Sequence, residues 1–382
     1  MAQVYAAKYL TKAALSAPRD LVNGYVARHR PIHPTVLIFH ITFVCDARCN
    51  MCSNWQRGDR KQDMTLEEIE RALDSSLWKN IEICSISGGE PTTRNDLVDI
   101  CRLVTEKLPR LRKLTLNTTG LTPHRAIPML TKIVELCTAR DVIFSGRVSI
   151  DGVGEVHNDV RRVKRGFAKA GETIAAMKAL QKTHSFNFGI SSTIFSMNLD
   201  DAENILAWAR NEQLDIVFNM VRFTEAMLGN SELEGDIKPV AKEEEQMRQF
   251  FLDRVRQDPL LDGQNFIYMH YADMIGNGYH RLAPCPFQSQ GVMLNPDGGL
   301  FFCENSRVVG NVREEDAEAI YFRESAQAHR DWIRAEKCPT CLSPCQMNVA
   351  AIKQVVPYAK FLVRASAEKR RHRNRELVAA SA

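Results

Sequence analysis

The sequence predicts an α/β fold, a curved and partly open (β/α)6 barrel followed by a C-terminal cysteine-rich domain. Three observations predict it. Between residues 35 and 222, six short apolar runs alternate with longer amphipathic segments, the pattern of βαβ units on a parallel sheet. Hydrophobic residues make up 45% and charged residues 25% of the 382, a balance that allows a substantial buried core. Of eleven cysteines, eight fall into two tight groups, which is how metal ligands are spaced.

The apolar runs are Thr35–Phe43, Ile81–Ser87, Lys113–Asn117, Arg147–Ile150, Asn187–Ile194 and Asp215–Val221. Helical patterns lie between them at about 65–78, 95–108, 123–140, 166–182 and 200–212. Thr65-Leu-Glu-Glu68 has the form of a capping box, and Asp200 is expected to cap the last helix. Six such units are too few for a closed eight-stranded barrel but suit a partly open one. Five regions follow: an N-terminal helical extension (1–34), the barrel (35–222), an acidic connecting segment (223–284), the cysteine-rich domain (285–350) and a basic C-terminal helix or tail (351–382). In the connecting segment a helix is expected at about 241–256, then a loop around Pro259–Gln264. In the cysteine-rich domain, Asn295-Pro-Asp-Gly-Gly299 between two apolar runs signals a hairpin. Cys84, Cys101 and Cys137 stand alone in apolar surroundings and are expected in the core.

Charge narrows the function classes. The formal net charge is +4, and residues 358–382 alone contribute +5, so the basic character belongs to the tail. No basic face with interleaved aromatics points to nucleic acid. No run approaches the roughly 18 uninterrupted apolar residues of a membrane span, and the N-terminus lacks the pattern of an export signal. An odd cysteine count argues against a disulfide scaffold, so a cytoplasmic location is expected. The helix at 1–29 and the run Lys369–Arg375 leave peripheral contact with an anionic inner membrane face as a secondary expectation.

Cys45-Asp-Ala-Arg-Cys49-Asn-Met-Cys52 follows the first strand directly, on the barrel face where active sites gather. Three thiolates at these spacings can hold three corners of a four-iron cluster and leave one iron open; a structural zinc with a distant histidine is the competing reading. After the second strand stands Ser87-Gly-Gly-Glu-Pro-Thr92. In combination these motifs resemble the radical S-adenosylmethionine (SAM) enzymes over about residues 35–222. One mild departure is Met51, where the family often has an aromatic residue before the third cysteine. The resemblance implies a [4Fe–4S] cluster on Cys45, Cys49 and Cys52, SAM chelating the open iron, and a 5′-deoxyadenosyl radical that abstracts hydrogen from an unactivated C–H. It also implies cofactor contacts from Gly88, Gly89, Glu90 and Pro91, from Asn117 at the end of the third strand, and from Ser149 and Arg161.

The second group, Cys285, Cys303, Cys338, Cys341 and Cys345, has a cysteine–glycine–cysteine opening that resembles the SPASM domain or its shorter relative, twitch. That resemblance implies one auxiliary [4Fe–4S] cluster held by four of the five thiols; a Cys₄ zinc ribbon is the alternative.

The expected function is therefore a radical SAM oxidoreductase or isomerase, fed by a reductant such as flavodoxin or ferredoxin. Residues 1–34 are short for a peptide-leader module, which favours oxidation or epimerisation of a sugar, an aminocyclitol or a lipid-linked small molecule. A maturase of ribosomally made peptides and an iron–sulfur electron-transfer protein are the alternatives. No transferable motif names the substrate; Asp151, Asn219, Arg222 and His270 are candidate polar groups for its pocket.

Overall fold

Strand β1 (Val36–Thr42) is buried along its whole length, as a nearly continuous apolar run requires of a strand with parallel neighbours on both sides. The computed structural model that shows this describes residues 30–225, 227–260, 262–282, 285–343 and 355–380, with Val22, Tyr25 and Val26. The expectations for residues 1–29 beyond those three, and for Cys345, lie outside the described residues.

Five further strands follow in parallel: β2 (Ile83–Gly88), β3 (Lys113–Thr118), β4 (Ile143–Ser149), β5 (Asn187–Ile194) and β6 (Asp215–Met220). Each pairs with the next in sequence, which is the six-unit arrangement expected. The fourth strand begins at Ile143, earlier than the expected Arg147. Between the strands run α1 (Leu66–Leu73), α2 (Leu97–Lys107), α3 (Pro123–Ala139), α4 (Glu155–Arg161), α5 (Gly166–Leu180) and α6 (Ala202–Asn211). The capping box is present: Glu68 N donates to Thr65 Oγ1 at 3.2 Å and Thr65 N to Glu68 Oε2 at 2.9 Å. The expected cap on α6 is not. Its N-cap is Asp201, whose Oδ2 instead accepts from Val153 N at 2.6 Å, while Asp200 accepts from Gln246.

The strands alternate strictly. Leu114, Leu116, Phe144, Val148 and Ile190 turn outward into the core beneath the helices, together with Cys84 of β2, and share that core with Cys101 of α2 and Cys137 of α3. Lys113, Thr115, Asn117, Ser145, Arg147, Ser191 and Thr193 turn inward. A period of two places every second residue on one face, so the barrel has an apolar jacket and a polar lumen.

The cysteine-rich segment continues the same sheet. β7 (Gly291–Leu294) lies parallel to β1, and β8 (Gly299–Phe301) and β9 (Gly310–Asn311) follow antiparallel. The hairpin turn needs glycine at Gly298, where φ is +88°.

α7 (Ala241–Gln257) occupies the expected helical span, but α8 (Gly263–Gly276) begins where a loop was expected. An unbroken buried stretch from Asn265 to Ala272 hides its helical period. α8 covers the outer edge of the sheet, where Phe218 N donates to Tyr268 Oη at 3.1 Å, satisfying an edge-strand donor. Beyond α9 (Ala317–Phe322) and α10 (Glu324–Glu336) comes the basic helix α11 (Val355–Ala380). It packs on the body of the protein: Phe361 and Ala365 are buried, Arg364 pairs with Asp273 at 2.5 Å, and Arg256 pairs with Glu368 at 3.0 Å. No helix among the described residues is long and apolar enough to cross a membrane.

Candidate functional site

The two sequence motifs of the barrel are zipped together backbone to backbone. Gly89 N donates to Thr42 O at 2.7 Å and Glu90 N to Val44 O at 2.9 Å, extending the β1–β2 pairing into both loops. A Cβ at Gly88, where φ is +124°, would lie 2.1 Å from Thr42 O, and one at Gly89 would lie 2.4 Å from Val44 O. Only glycine admits this approach. The other side of the cysteine loop is laced to the end of α4, with Arg48 N donating to Arg161 O at 3.2 Å and Asn50 N to Val160 O at 3.0 Å.

Glu90 is fully buried, and its carboxylate is engaged inside the protein. Oε1 accepts from Thr92 N at 3.0 Å, Thr92 Oγ1 at 2.7 Å and Thr118 Oγ1 at 2.7 Å; Oε2 accepts from Thr119 N at 2.6 Å. It staples the loop after β2 to the end of β3. Burial, with Asp46 nearby, raises its pKa, and these hydrogen bonds oppose the rise.

Cys45, Cys49 and Cys52 open onto one cavity of about 410 Å³ at the C-terminal ends of the strands, within the size range of small-molecule sites. Gly88, Gly89, Asn117 and Arg161 also line it; Glu90, Pro91 and Ser149 are not among its lining residues. Arg161 Nη2 stands 2.5 Å from Asp151 Oδ2, and Nη1 donates to Cys49 Sγ at 3.4 Å. Its buried Nε has no partner among the described residues. Of the four candidate polar groups, Asn219 and Arg222 line the cavity. Asp151 serves Arg161 from beneath, and His270 is buried in α8 with its pKa lowered by burial to about 3.

Burial pushes the thiol pKa values of Cys45 and Cys49 up and that of Cys52 to about 11. For Cys49 the Arg161 guanidinium pulls the other way. These thiols therefore lose their protons to a metal rather than to water. Among the described residues no three His, Cys, Asp or Glu side chains converge on a point for a single metal ion. Three soft thiol donors around one cavity, with a guanidinium against one of them, fit a cluster whose thiolates take separate corners.

Cys285, Cys303, Cys338 and Cys341 line a second, smaller cavity, a thiol set that fits an auxiliary cluster. Cys341 Sγ accepts from Asn305 Nδ2 at 3.2 Å and from Ser343 N at 3.4 Å. The two cavities are joined by Arg222, which lines the first and donates through Nη1 to Glu304 Oε2 (2.8 Å) and Ser343 Oγ (3.0 Å), both at the second.

Several supporting residues escaped sequence reasoning. Asp46 accepts from Thr119 Oγ1 at 3.0 Å and from Thr122 Oγ1 at 2.7 Å. Asn230, fully buried, donates to Met51 O at 2.8 Å and to Arg222 O at 2.9 Å. Asp46 sits inside the cysteine motif and Thr119 in Thr118-Thr-Gly120, so both had a local signal; Asn230 had none.

Residues 39–209 match the model described as the radical SAM superfamily, and residues 285–346 match SPASM, an iron–sulfur cluster-binding domain. The chain is 30% identical over 170 residues to the AdoMet-dependent heme synthase of Methanosarcina barkeri, covering 44% of this chain and 45% of that protein. It is 21% identical over 236 residues to the mycofactocin maturase MftC of Mycolicibacterium smegmatis, covering 62% and 56%. The chain spans about half the length of these two curated relatives. Among solved structures, Streptococcus suis SuiB bound to S-adenosylmethionine is similar in fold, with a TM-score of 0.56, 14% identity, and 83% and 73% of the two chains covered. So is anSMEcpe with bound AdoMet and the Kp18Cys peptide, with a TM-score of 0.57, 14% identity, and 87% and 99% covered.

Proposed function

We propose that this chain, which belongs to the radical SAM superfamily and carries a SPASM cluster-binding domain, is a peptide-modifying radical enzyme. Its [4Fe–4S] cluster and SAM supply, when bound, a radical able to take hydrogen from an unreactive carbon. Cys45, Cys49 and Cys52 would hold that cluster, and Cys285, Cys303, Cys338 and Cys341 the auxiliary one.

The remaining residues of the site bind, orient and balance charge. Gly88 and Gly89 let the backbone of the two loops close, and they present a wall without side chains to the cofactor. Arg161, held by Asp151, offsets the negative charge of the Cys49 thiolate at the cavity wall. Asn117 supplies an amide at the rim. Glu90 acts by fixing Thr92, Thr118 and Thr119, so its contribution to cofactor binding runs through the loops.

The observation that carries the reading is the shared cavity: three thiols, the glycine pair and Arg161 meet above a polar lumen. The peptide class is supported by the relatives. MftC is named a maturase, SuiB was solved bound to the precursor peptide SuiA, and anSMEcpe was solved with two peptides. These favour a peptide over the sugar or lipid-linked substrate expected from the sequence. Anaerobically reconstituted protein should hold about eight iron per chain and form 5′-deoxyadenosine from SAM under reducing conditions, with the yield raised by a peptide substrate. Four iron together with one zinc would remove the auxiliary cluster. Stimulation by sugars but by no peptide would overturn the peptide class.

A further inference from the structure

The charged side chains that line the main cavity are all basic among the described residues: Arg161 and Arg222 near the cysteine loop, and Lys113 and Arg147 within the barrel lumen. No aspartate or glutamate lines it among the described residues. The first two have work already described, beside Cys49 and against Glu304. Lys113 and Arg147 do not serve the thiols. Lys113 opens β3, four residues before Asn117 at the rim, or about 13 Å along the strand at roughly 3.3 Å per residue.

The lower lumen is shaped around this pair. Arg147 Nη1 donates to Ile190 O at 2.9 Å, and its Nη2 meets Asp215 Oδ2 at 2.5 Å, at the exposed start of β6. Gly189 breaks the inward-facing series of β5, and a Cβ there would lie 3.1 Å from Arg147 Nη1 and 2.3 Å from Asp215 O. The glycine admits the guanidinium, which is what an isolated strand glycine often does. Around the two cations stand neutral hydrogen-bonding groups: Thr115, whose Oγ1 donates to Ser85 Oγ at 2.8 Å, with Ser145 and Gln264. The acidic partner Asp215, in register with Gly189 and of the same strand parity as the cavity-lining Val217 and Asn219, is exposed at the lower end of β6, so Lys113, Arg147 and Asp215 together carry one net positive charge. Burial and the neighbouring Arg147 lower the Lys113 pKa to about 8, still cationic at neutral pH.

We propose that Lys113 and Arg147 form an anion subsite in the lumen, binding a carboxylate or phosphate carried by the substrate on its side away from the cysteine loop. The inference rests on the reading of this cavity as the substrate chamber. It adds a specificity: the substrate is acidic, and in the peptide reading the group is an Asp or Glu side chain.

The test uses reconstituted holoenzyme with SAM and titrates four probes by calorimetry: a capped tripeptide with a central Glu, the same tripeptide with Gln, glutarate, and inorganic phosphate. The Glu peptide should bind at least about tenfold more tightly than the Gln peptide, as the loss of a charge-assisted hydrogen bond implies. Lys113→Gln should abolish that preference, and Lys113→Arg should restore it. If Lys113→Gln does not fold, Arg147→Lys, which keeps the charge but loses the fork, should still reduce the preference. Glutarate or phosphate binding as tightly as the Glu peptide would keep the subsite and identify a free small acid as its source. Equal binding of the Glu and Gln peptides, together with no saturable binding of either free anion, would overturn the subsite. 5′-Deoxyadenosine is measured in the same samples: its absence counts against the enzyme reading, and its presence without anion selectivity counts against the subsite alone.

Discussion

Arg222, just past the end of β6, donates to Glu304, the residue after Cys303, at 2.8 Å, and Glu304 is only 3% exposed. This buried ion pair ties the wall of the barrel cavity to the wall of the thiol cavity beside it. Replacing Arg222 with leucine would remove the cation that faces the buried Glu304 carboxylate. Removing one partner of such a pair costs about 3–5 kcal/mol, so the denaturant midpoint of Arg222→Leu should fall clearly. Arg222→Leu/Glu304→Leu should recover part of the loss, and a double variant no more stable than the single one would show that the pair is not coupled.

Glu90→Gln tests whether Glu90 serves the loops. The carboxylate accepts four hydrogen bonds, and an amide must offer donors to at least one of the same N–H or O–H groups. A loss of about 1–3 kcal/mol is expected for each buried donor left unpaired, together with weaker SAM binding. Thermal unfolding of the metal-free protein is the decisive readout. An unchanged midpoint with weakened SAM binding would instead make Glu90 a direct ligand.

Gly88→Ala should disrupt the cysteine loop itself, because the added Cβ falls 2.1 Å from Thr42 O, a backbone atom with no room to yield. Iron content after reconstitution should drop by about half, with the auxiliary iron retained. Alanine at Gly171, where a Cβ meets nothing within 4 Å, is the control and should reconstitute normally.

Acid should unfold the protein through its buried histidines. Burial holds His40 at about 4, and His157 and His270 at about 3, against an ordinary 6.5. A lowered folded-state pKa means that the stabilisation is complete above pH 6.5 and declines as the pH falls from there through 4. For His40 the shift corresponds to about 3 kcal/mol. Denaturant midpoints measured from pH 7.5 to 4.5 should fall steadily below 6.5, and less steeply in His40→Leu. A flat profile would contradict the neutral buried state.

Periodicity made the barrel legible, since each of the six runs alternates or stays apolar over a strand's length. The cysteine triplet and the glycine pair were legible because thiol spacing and two adjacent glycines are local features. α8 was not, because a helix buried on most sides loses its polar stripe. Nor was the continuation of the sheet through β7, since parallel pairing with β1 leaves no mark within either segment.

Residue order alone determined the strand sequence, the two thiol sets and the cap at Thr65, all of which depend on neighbours a few positions apart. Folding decided what the charged groups do. It turned Glu90 inward onto three threonines, set Asp151 under Arg161, and brought Arg222 to Glu304 across 82 positions of chain. It also gathered Lys113 and Arg147 from separate strands into one lumen. Charge and hydrogen bonding act through distance in space, and that distance exists only once the sheet has curved.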